Sequence, residues 1–364
     1  MTVNHITNLI EEQAPVPLQE SFDNAGLLVG NAAMEVSGVL LCIDVTEAVI
    51  DEAITHNLNL IISHHPLIFR GLKQLTGKNE VQRCVAKAIK NDIAIYAAHT
   101  NIDNVLNGVS GKIAEKIGLE NIQILVPKEN TLVKLVTFVP VNQVDDVRKA
   151  LFEVGAGHIS NYDECSFNVE GYGTFRAGEN ANPYVGETAK QHREPETRVE
   201  VILPKYLINK AVNALLVAHP YEEPAYDIIQ LLNSWNTVGL GVVGELPAEM
   251  DEMDFLYLLK NKFGLTMLKY TPLQGKKIKR VAVCGGAGSE FLKDAIRARA
   301  DVFVSGDFKY HDYFEAENRI LIADIGHFES EQFTKDVFYE IITKKMPKFA
   351  VRISKVNTNP INYL

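Results

Sequence analysis

The chain carries one pattern twice, and this duplication limits its fold more than any other feature. VLLCIDVTEAVIDEAI followed by LIISHH in the first third runs parallel to VAVCGGAGSEFLKDAI followed by VFVSGD in the last third. Cys42 precedes Ser63 by 21 residues, and Cys284 precedes Ser305 by 21. IAIYAAHTNID likewise matches LIADIGHFESE, so His99 and Asp103 correspond to His327 and Glu331. Within each copy, short apolar runs alternate with stretches at helical spacing. That is the grammar of βαβ units, which build largely parallel sheets with right-handed crossovers. Two α/β halves packed about a pseudo-two-fold axis are the expected result.

In the first half, strands are predicted at Val39–Ile43, Leu58–Ser63 and Ile93–Ala98, with a short strand after ESFDNAGLLVG begins. Thr46 is placed to cap a helix through Val49, Ile50, Ala53 and Ile54. Further helices are predicted at His5–Gln13, at Val81–Ile89 and through Val109, Ile113 and Ile117, the last closed by Gly118. In the second half, strands are expected at Ile278–Cys284, Asp301–Ser305 and Ile320–Ile325. Helices are expected at Asp254–Phe263, at Glu290–Ala298 and through Phe333, Val337 and Ile341. The middle of the chain reads differently. LVKLVTFVP, VDDVRKALFEVG, CSFNVEGYGTF, a polar stretch from Gly178 to Glu196, TRVEVILP, KYLINKAVNALLVAH and PYEEPAYDIIQL succeed one another. The sum is βαβ–βαβ, a ferredoxin-like α+β pattern. The fold class is therefore α/β, with two pseudo-repeated halves (1–129 and 238–364) forming one metal-binding domain and an inserted ferredoxin-like domain (130–237).

The chemistry sits where the apolar strands stop. LNLIISHHPLIF ends a buried run at His64 and His65, and Pro66 lacks the N–H that would continue a ladder. Open α/β sheets bind ligands at the carboxyl ends of their strands. Packing the two halves together would converge His64, His65, Asp103, His327 and Glu331. Imidazole and carboxylate suit zinc, iron or manganese rather than a thiolate-loving metal. Five ligands leave open positions on two ions, as catalytic sites require, with Glu331 placed to bridge. The bland alternative for each motif is a helix start, where a carboxylate favours the positive end of the dipole. Four such segments, each ending an apolar strand, favour the metal site. His99 and Asp307 are candidates for holding ligands by hydrogen bonds, and His99 is the one candidate acid–base group. Three other motifs carry less. CGGAGSE lacks the Lys-Ser/Thr of a nucleotide loop and reads as a tight turn. HPYEEPAYD reads as a rigid helix-to-strand connection ahead of a second metal or effector site. Tyr310 and His311 are candidates for lining the cleft by position alone.

Composition narrows the function. The net charge of −10 over 364 residues disfavours a protein that grips nucleic acid by charge. The four cysteines stand far apart, with no C-x-x-C pair, which fits a reducing compartment and a cytoplasmic location. The first residues lack a basic, then apolar, leader pattern. No apolar run reaches the roughly 20 residues a membrane span needs.

The series ESFDNAGLLVG, SHHPLIF, HTNIDN, SGDFKYHD and GHFESE resembles the Nif-three-like dinuclear metal-centre proteins, also described as type 2 homologues of GTP cyclohydrolase one. The resemblance covers about Met1–Pro127 and Val238–Leu364. It implies two divalent ions held by His64, His65, Asp103, His327 and Glu331. It also implies a toroidal homohexamer with the clefts facing an internal cavity. The middle segment is similar to the PII and cation-tolerance (CutA) proteins. Two functions of different class are implied. One is a metal-dependent hydrolase of a nucleotide or other phosphorylated small molecule, the family's name suggesting opening of the GTP purine ring. The other is a non-enzymatic regulatory or scaffold protein whose insert senses a ligand.

Overall fold

The computed structural model describes residues 1–364, which divide into two units: 1–127 with 236–364, and 128–235.

The first unit opens with α1 (Val3–Gln13), whose Thr2 side chain caps the His5 amide, and β1 (Gly26–Val29). β2 (Val39–Cys42), α2 (Glu47–Thr55), β3 (Leu60–Ser63), α3 (Glu80–Lys90) and β4 (Ala94–Ala97) come next. Thr46 accepts from the Val49 amide and so starts α2. Then come the single turn α4 (Thr100–Asp103), α5 (Val109–Ile117) closed by left-handed Gly118, and β5 (Glu120–Lys128).

The second unit contains β6 (Leu132–Pro140), α6 (Val144–Glu153), β7 (Phe167–Arg176), β8 (Gln191–Pro204), α7 (Ile208–Ala218) and β9 (Tyr226–Gln230). Its sheet runs β7-β8-β6-β9 and its strand pairs are antiparallel. Numbered within the unit this is 4-1-3-2 read from the β9 edge, the ferredoxin-like order. Leu135, Val147, Leu151, Val199, Val201 and Leu215 form its core. β8 begins at Gln191, earlier than the polar sequence suggests, because its first half pairs with β7 as a hairpin exposed along much of its length.

The chain returns to the first unit through β10 (Trp235–Asp251). α8 (Glu252–Phe263), β11 (Lys269–Tyr270), β12 (Lys277–Ala287), α9 (Leu292–Arg297), β13 (Val302–Gly306), β14 (Leu321–Asp324), α10 (His327–Glu331), α11 (Thr334–Lys345) and β15 (Val351–Ile353) complete it.

Two sheets of the first unit share one plan. One runs β1-β4-β3-β2-β15 and the other β11-β14-β13-β12-β10-β5. In each, three consecutive strands are parallel (β2, β3, β4 and β12, β13, β14), and a short strand preceding them in sequence pairs antiparallel with the last. Parallel strands buried on both faces read as continuous apolar runs. Accordingly Leu41, Ile62 and Tyr96 join Val283, Val304 and Ala323 in one core with α1, α5, α8 and α11. The alternate residues Leu40, Ile61 and Ile95 pack on α2 and α3, while Ala282, Phe303 and Ile322 pack on α9. Several elements of this unit differ from the sequence reading. β5 and β10 extend the second sheet, and β15 crosses over to complete the first. β12 continues to Ala287, through the glycines read as a turn, and its ladder with β13 shifts register between Val283 and Ala287.

Candidate metal centre

The parallel register sets the site. Cys42 pairs with Ser63, and Ser63 with Ala97, so residues just past these strands emerge side by side. One residue on, the buried His64 Nδ1 lies 3.0 Å from the Ala98 carbonyl oxygen. Two residues on, His65 Nδ1 lies 2.7 Å from Asp44 Oδ1, and Thr358 donates to the other Asp44 oxygen. In the second sheet Ser305 pairs with Asp324, and beyond them His327 Nδ1 lies 2.7 Å from Asp307 Oδ2. His99 Nδ1 lies 2.8 Å from Asp23 Oδ1, whose other oxygen accepts from the Thr100 amide. A carbonyl or carboxylate accepts only, so each Nδ1 carries the proton and each neutral ring keeps its free lone pair on Nε2.

The Nε2 atoms of His64, His65 and His327 converge on Glu331, which α10 brings in buried. Its Oε2 is 3.0 Å from His65 Nε2 and 3.2 Å from His327 Nε2, and its Oε1 is 3.5 Å from His64 Nε2. The two ring nitrogens of His65 and His327 are 3.4 Å apart. Asp103 Oδ1 stands 3.9 Å from His64 Nε2. His64, His65 and His99 each bring a ring nitrogen within 4.8 Å of the others, as do the ligand atoms of His65, His327 and Glu331. Buried His64 Nε2 and Glu331 Oε2 make no well-formed hydrogen bond, although Oε2 has two imidazoles beside it. An ion with ligands at about 2.0–2.1 Å in tetrahedral array separates them by roughly 3.3 Å. The donor types, spacing and orphaned buried atoms fit a divalent cation.

Gly286 makes the arrangement possible. Its φ is +63°, and a Cβ there would fall 2.2 Å from Glu331 Oε1. The register shift in β12 thus lets bare backbone pass under the carboxylate, while the Gly286 amide donates to Ser330.

Electrostatics depend on the same contacts. Burial opposes charge on His65, but Asp44 and Glu331 outweigh it and lift its pKa to about 10. The Glu331 carboxylate 3.2 Å away, against burial and with help from Asp307, raises His327 to about 9. Complete burial lowers His64. Burial works against Glu331 ionising, yet the surrounding imidazoles hold it well below the usual carboxylate range. Burial and the charge of Glu331 push Asp103 well above that range. Burial also resists charge on Asp23, but His99 and Thr100 overcome it and keep the carboxyl far below its usual value.

The structure therefore gathers His64, His65, Asp103, His327 and Glu331, with His99 beside them. Tyr310 and His311 are exposed and form a ring cluster with Phe314. Asp23 and Asp44 were absent from the sequence reading. Asp23 sits in the quoted ESFDNAGLLVG motif, and Asp44 stands two residues past a strand, as His65 does.

The chain is similar to known proteins along its whole length. The Duf34/NIF3 (NGG1p interacting factor 3) family matches residues 1–360. A protein of Halalkalibacterium halodurans named GTP cyclohydrolase 1 type 2 homolog is 38% identical over 99% of this chain and 98% of its own. One of the same name from Bacillus subtilis is 36% identical over 99% and 98%. The crystal structure of a Bacillus cereus protein related to NIF3 superposes with a TM-score of 0.84 at 38% identity, covering 100% of this chain and 99% of that one.

Proposed function

Since the chain belongs to the Duf34/NIF3 family, we propose that its histidine–carboxylate cluster holds two divalent metal ions and hydrolyses a nucleotide or other phosphorylated small molecule. The observation that carries this reading is the set of imidazoles whose Nδ1 atoms are each tied to an acceptor and whose Nε2 atoms face Glu331. His64, Asp103 and one Glu331 oxygen would hold one ion. His65, His327 and the other oxygen would hold the second, with Glu331 bridging. Bound ions of this kind acidify water and polarise the bond under attack. Asp44 and Asp307 fix the rings of His65 and His327 and raise their basicity. His99, with its Nδ1 proton held by an ionised Asp23, is oriented to accept and return a proton at Nε2. The names of the relatives point to a guanine nucleotide as the substrate to assay first.

The test is turnover of nucleoside triphosphates by metal-loaded protein, with metal content measured in parallel. His99→Gln should lower turnover by about 10²–10⁴-fold at unchanged metal content. Metal-loaded protein with no turnover on any nucleotide or phosphomonoester would sink the hydrolase reading and leave the regulatory one. That second reading draws support from the inserted unit, whose ferredoxin-like strand order is compatible with kinship to the PII and CutA proteins. A homohexameric ring is part of the same proposal, and light scattering at the mass of a single chain would remove it.

A further inference from the structure

A cavity of about 850 Å³ in the inserted unit lies between the β7–β8 hairpin and the turn after α7. We propose that it binds an organic cation, an ammonium or guanidinium group carried on an apolar body. It lies wholly within residues 138–225 and so stands or falls independently of the metal centre.

The turn is HPYEEPAYD, and its conformation is fixed from inside. Buried His219 donates from Nε2 to the Phe138 carbonyl at 2.9 Å and accepts the Tyr221 amide at Nδ1 at 3.1 Å. This pins Tyr221, whose hydroxyl donates to Glu196 Oε1 at 2.7 Å. Glu196 is 8% exposed, and its Oε2 accepts no hydrogen bond. A Cβ at Gly173 would lie 2.2 Å from that oxygen, so the hairpin glycine leaves the carboxylate its place on the cavity wall.

Around this half-satisfied carboxylate the wall is aromatic. Tyr221 stands between Phe175 and Tyr184, each with its ring centroid 6.2 Å away and planes inclined at 59° and 50°. Rings set at such angles present several π-faces to one volume, which is how aromatic cages hold ammonium ions. Tyr172, another ring of the lining, already holds a cation of the protein itself, the Arg193 guanidinium lying 3.3 Å from its centroid.

Charge decides between cation and anion. Glu170, Glu196, Glu222 and Glu223 line the cavity against one guanidinium, Arg198, which is itself paired with Glu200 at 2.9 Å. A phosphorylated ligand would meet net negative charge. The volume falls within the roughly 300–1,000 Å³ of ordinary small-molecule pockets.

The test uses the full chain, titrated calorimetrically at low salt with benzyltrimethylammonium, with benzyl alcohol as the uncharged comparison and AMP as the anionic one. Saturable binding of the cation at one site per chain is expected, with neither comparison compound competing. Glu196→Gln keeps an acceptor for Tyr221 and removes the charge, and should weaken binding at least about tenfold. Tyr184→Ala removes an exposed ring that no core packing needs, and should weaken it severalfold. If Glu196→Gln lowers the melting temperature markedly, Tyr184→Ala decides alone. A wild-type dissociation constant above about 10 mM, equal affinity in the variants, or tighter binding of AMP would overturn the assignment.

Discussion

Stripped of metal, the cluster should hold protons where ligation requires lone pairs, and the number can be worked out. Asp44 and Glu331 lift His65 to about 10 against the opposing effect of burial, and Glu331 with Asp307 lifts His327 to about 9. At pH 8 these values leave the two rings about 99% and 91% protonated, whereas the ordinary histidine value of about 6.5 would leave about 3%. Metal uptake at pH 8 should therefore release about two protons from these rings. Asp103, pushed up by burial and Glu331, can only add to that number, and His64, lowered by burial, adds none. Calorimetric titration of zinc or manganese into chelator-stripped protein, in buffers of unequal ionisation heat, reads the number directly. Between pH 7 and 8.5 the apparent affinity should rise about 100-fold per pH unit, two protons being displaced. The same linkage bears on stability. Both values are raised on folding, so the stabilisation is complete below about pH 6.5 and lost as pH rises through 9 and 10. The melting temperature of stripped protein should fall across that window. Release of fewer than about half a proton at pH 8 would refute ligation through the Nε2 atoms of His65 and His327.

The same contacts predict other outcomes. Glu331→Ala should bring metal content towards none while leaving the fold intact, because the carboxylate lies where both candidate half-sites meet; full retention of two ions in elemental analysis would contradict the bridging role. Gly286→Ala should also deplete metal, since its Cβ would displace Glu331 Oε1 from 2.2 Å away and strain a φ of +63°; an unchanged metal content would mean that the carboxylate has room to move. Excising Thr131–Trp235 with a short linker should leave a soluble, metal-binding core. The strands flanking the cut, β5 and β10, are neighbours in one sheet, so the new ends are close. An insoluble product with a sound linker would count against two separable units.

The elements that carried the site were legible because parallel strands buried on both faces read as apolar runs with sharp ends. VLLC, LIIS and AIYA stand out, and the histidines just past the second and third stand out with them. The strands that escaped are those whose identity depends on partners far along the chain. β15 is three half-buried residues that become a strand only against β2, over 300 positions earlier. β5 shows mixed burial and gains its place only beside β10, which lies beyond the insert in sequence. The glycines of CGGAGSE look like punctuation in isolation. The first two lie in a strand because β13 runs beside it. Gly286 is a glycine because Glu331, 45 residues on, occupies the space a side chain would take, whereas a side chain at Gly285 would meet Val109.

Of the carboxylates that hold the histidines, Asp307 is legible in the sequence, whereas Asp23 and Asp44 are hidden for a related reason, and strand order makes them recoverable. Each partner comes from the strand beside the one that delivers the ring. Asp44 at the end of β2 holds His65 at the end of β3, and Asp307 after β13 holds His327 after β14. The Ala98 carbonyl after β4 holds His64 after β3, and Asp23 in the approach to β1 holds His99 after β4. Adjacent strands lie about 4.8 Å apart, so side chains at matched positions past their ends meet by default. The rule needs the neighbour list, which repeat alignment alone does not supply. Once the orders β1-β4-β3-β2 and β11-β14-β13-β12 are in hand, an aspartate just past the end of the neighbouring strand becomes the group to look for. It also explains the duplication: each half supplies a histidine with its own carboxylate support, and the second half adds Glu331 between them.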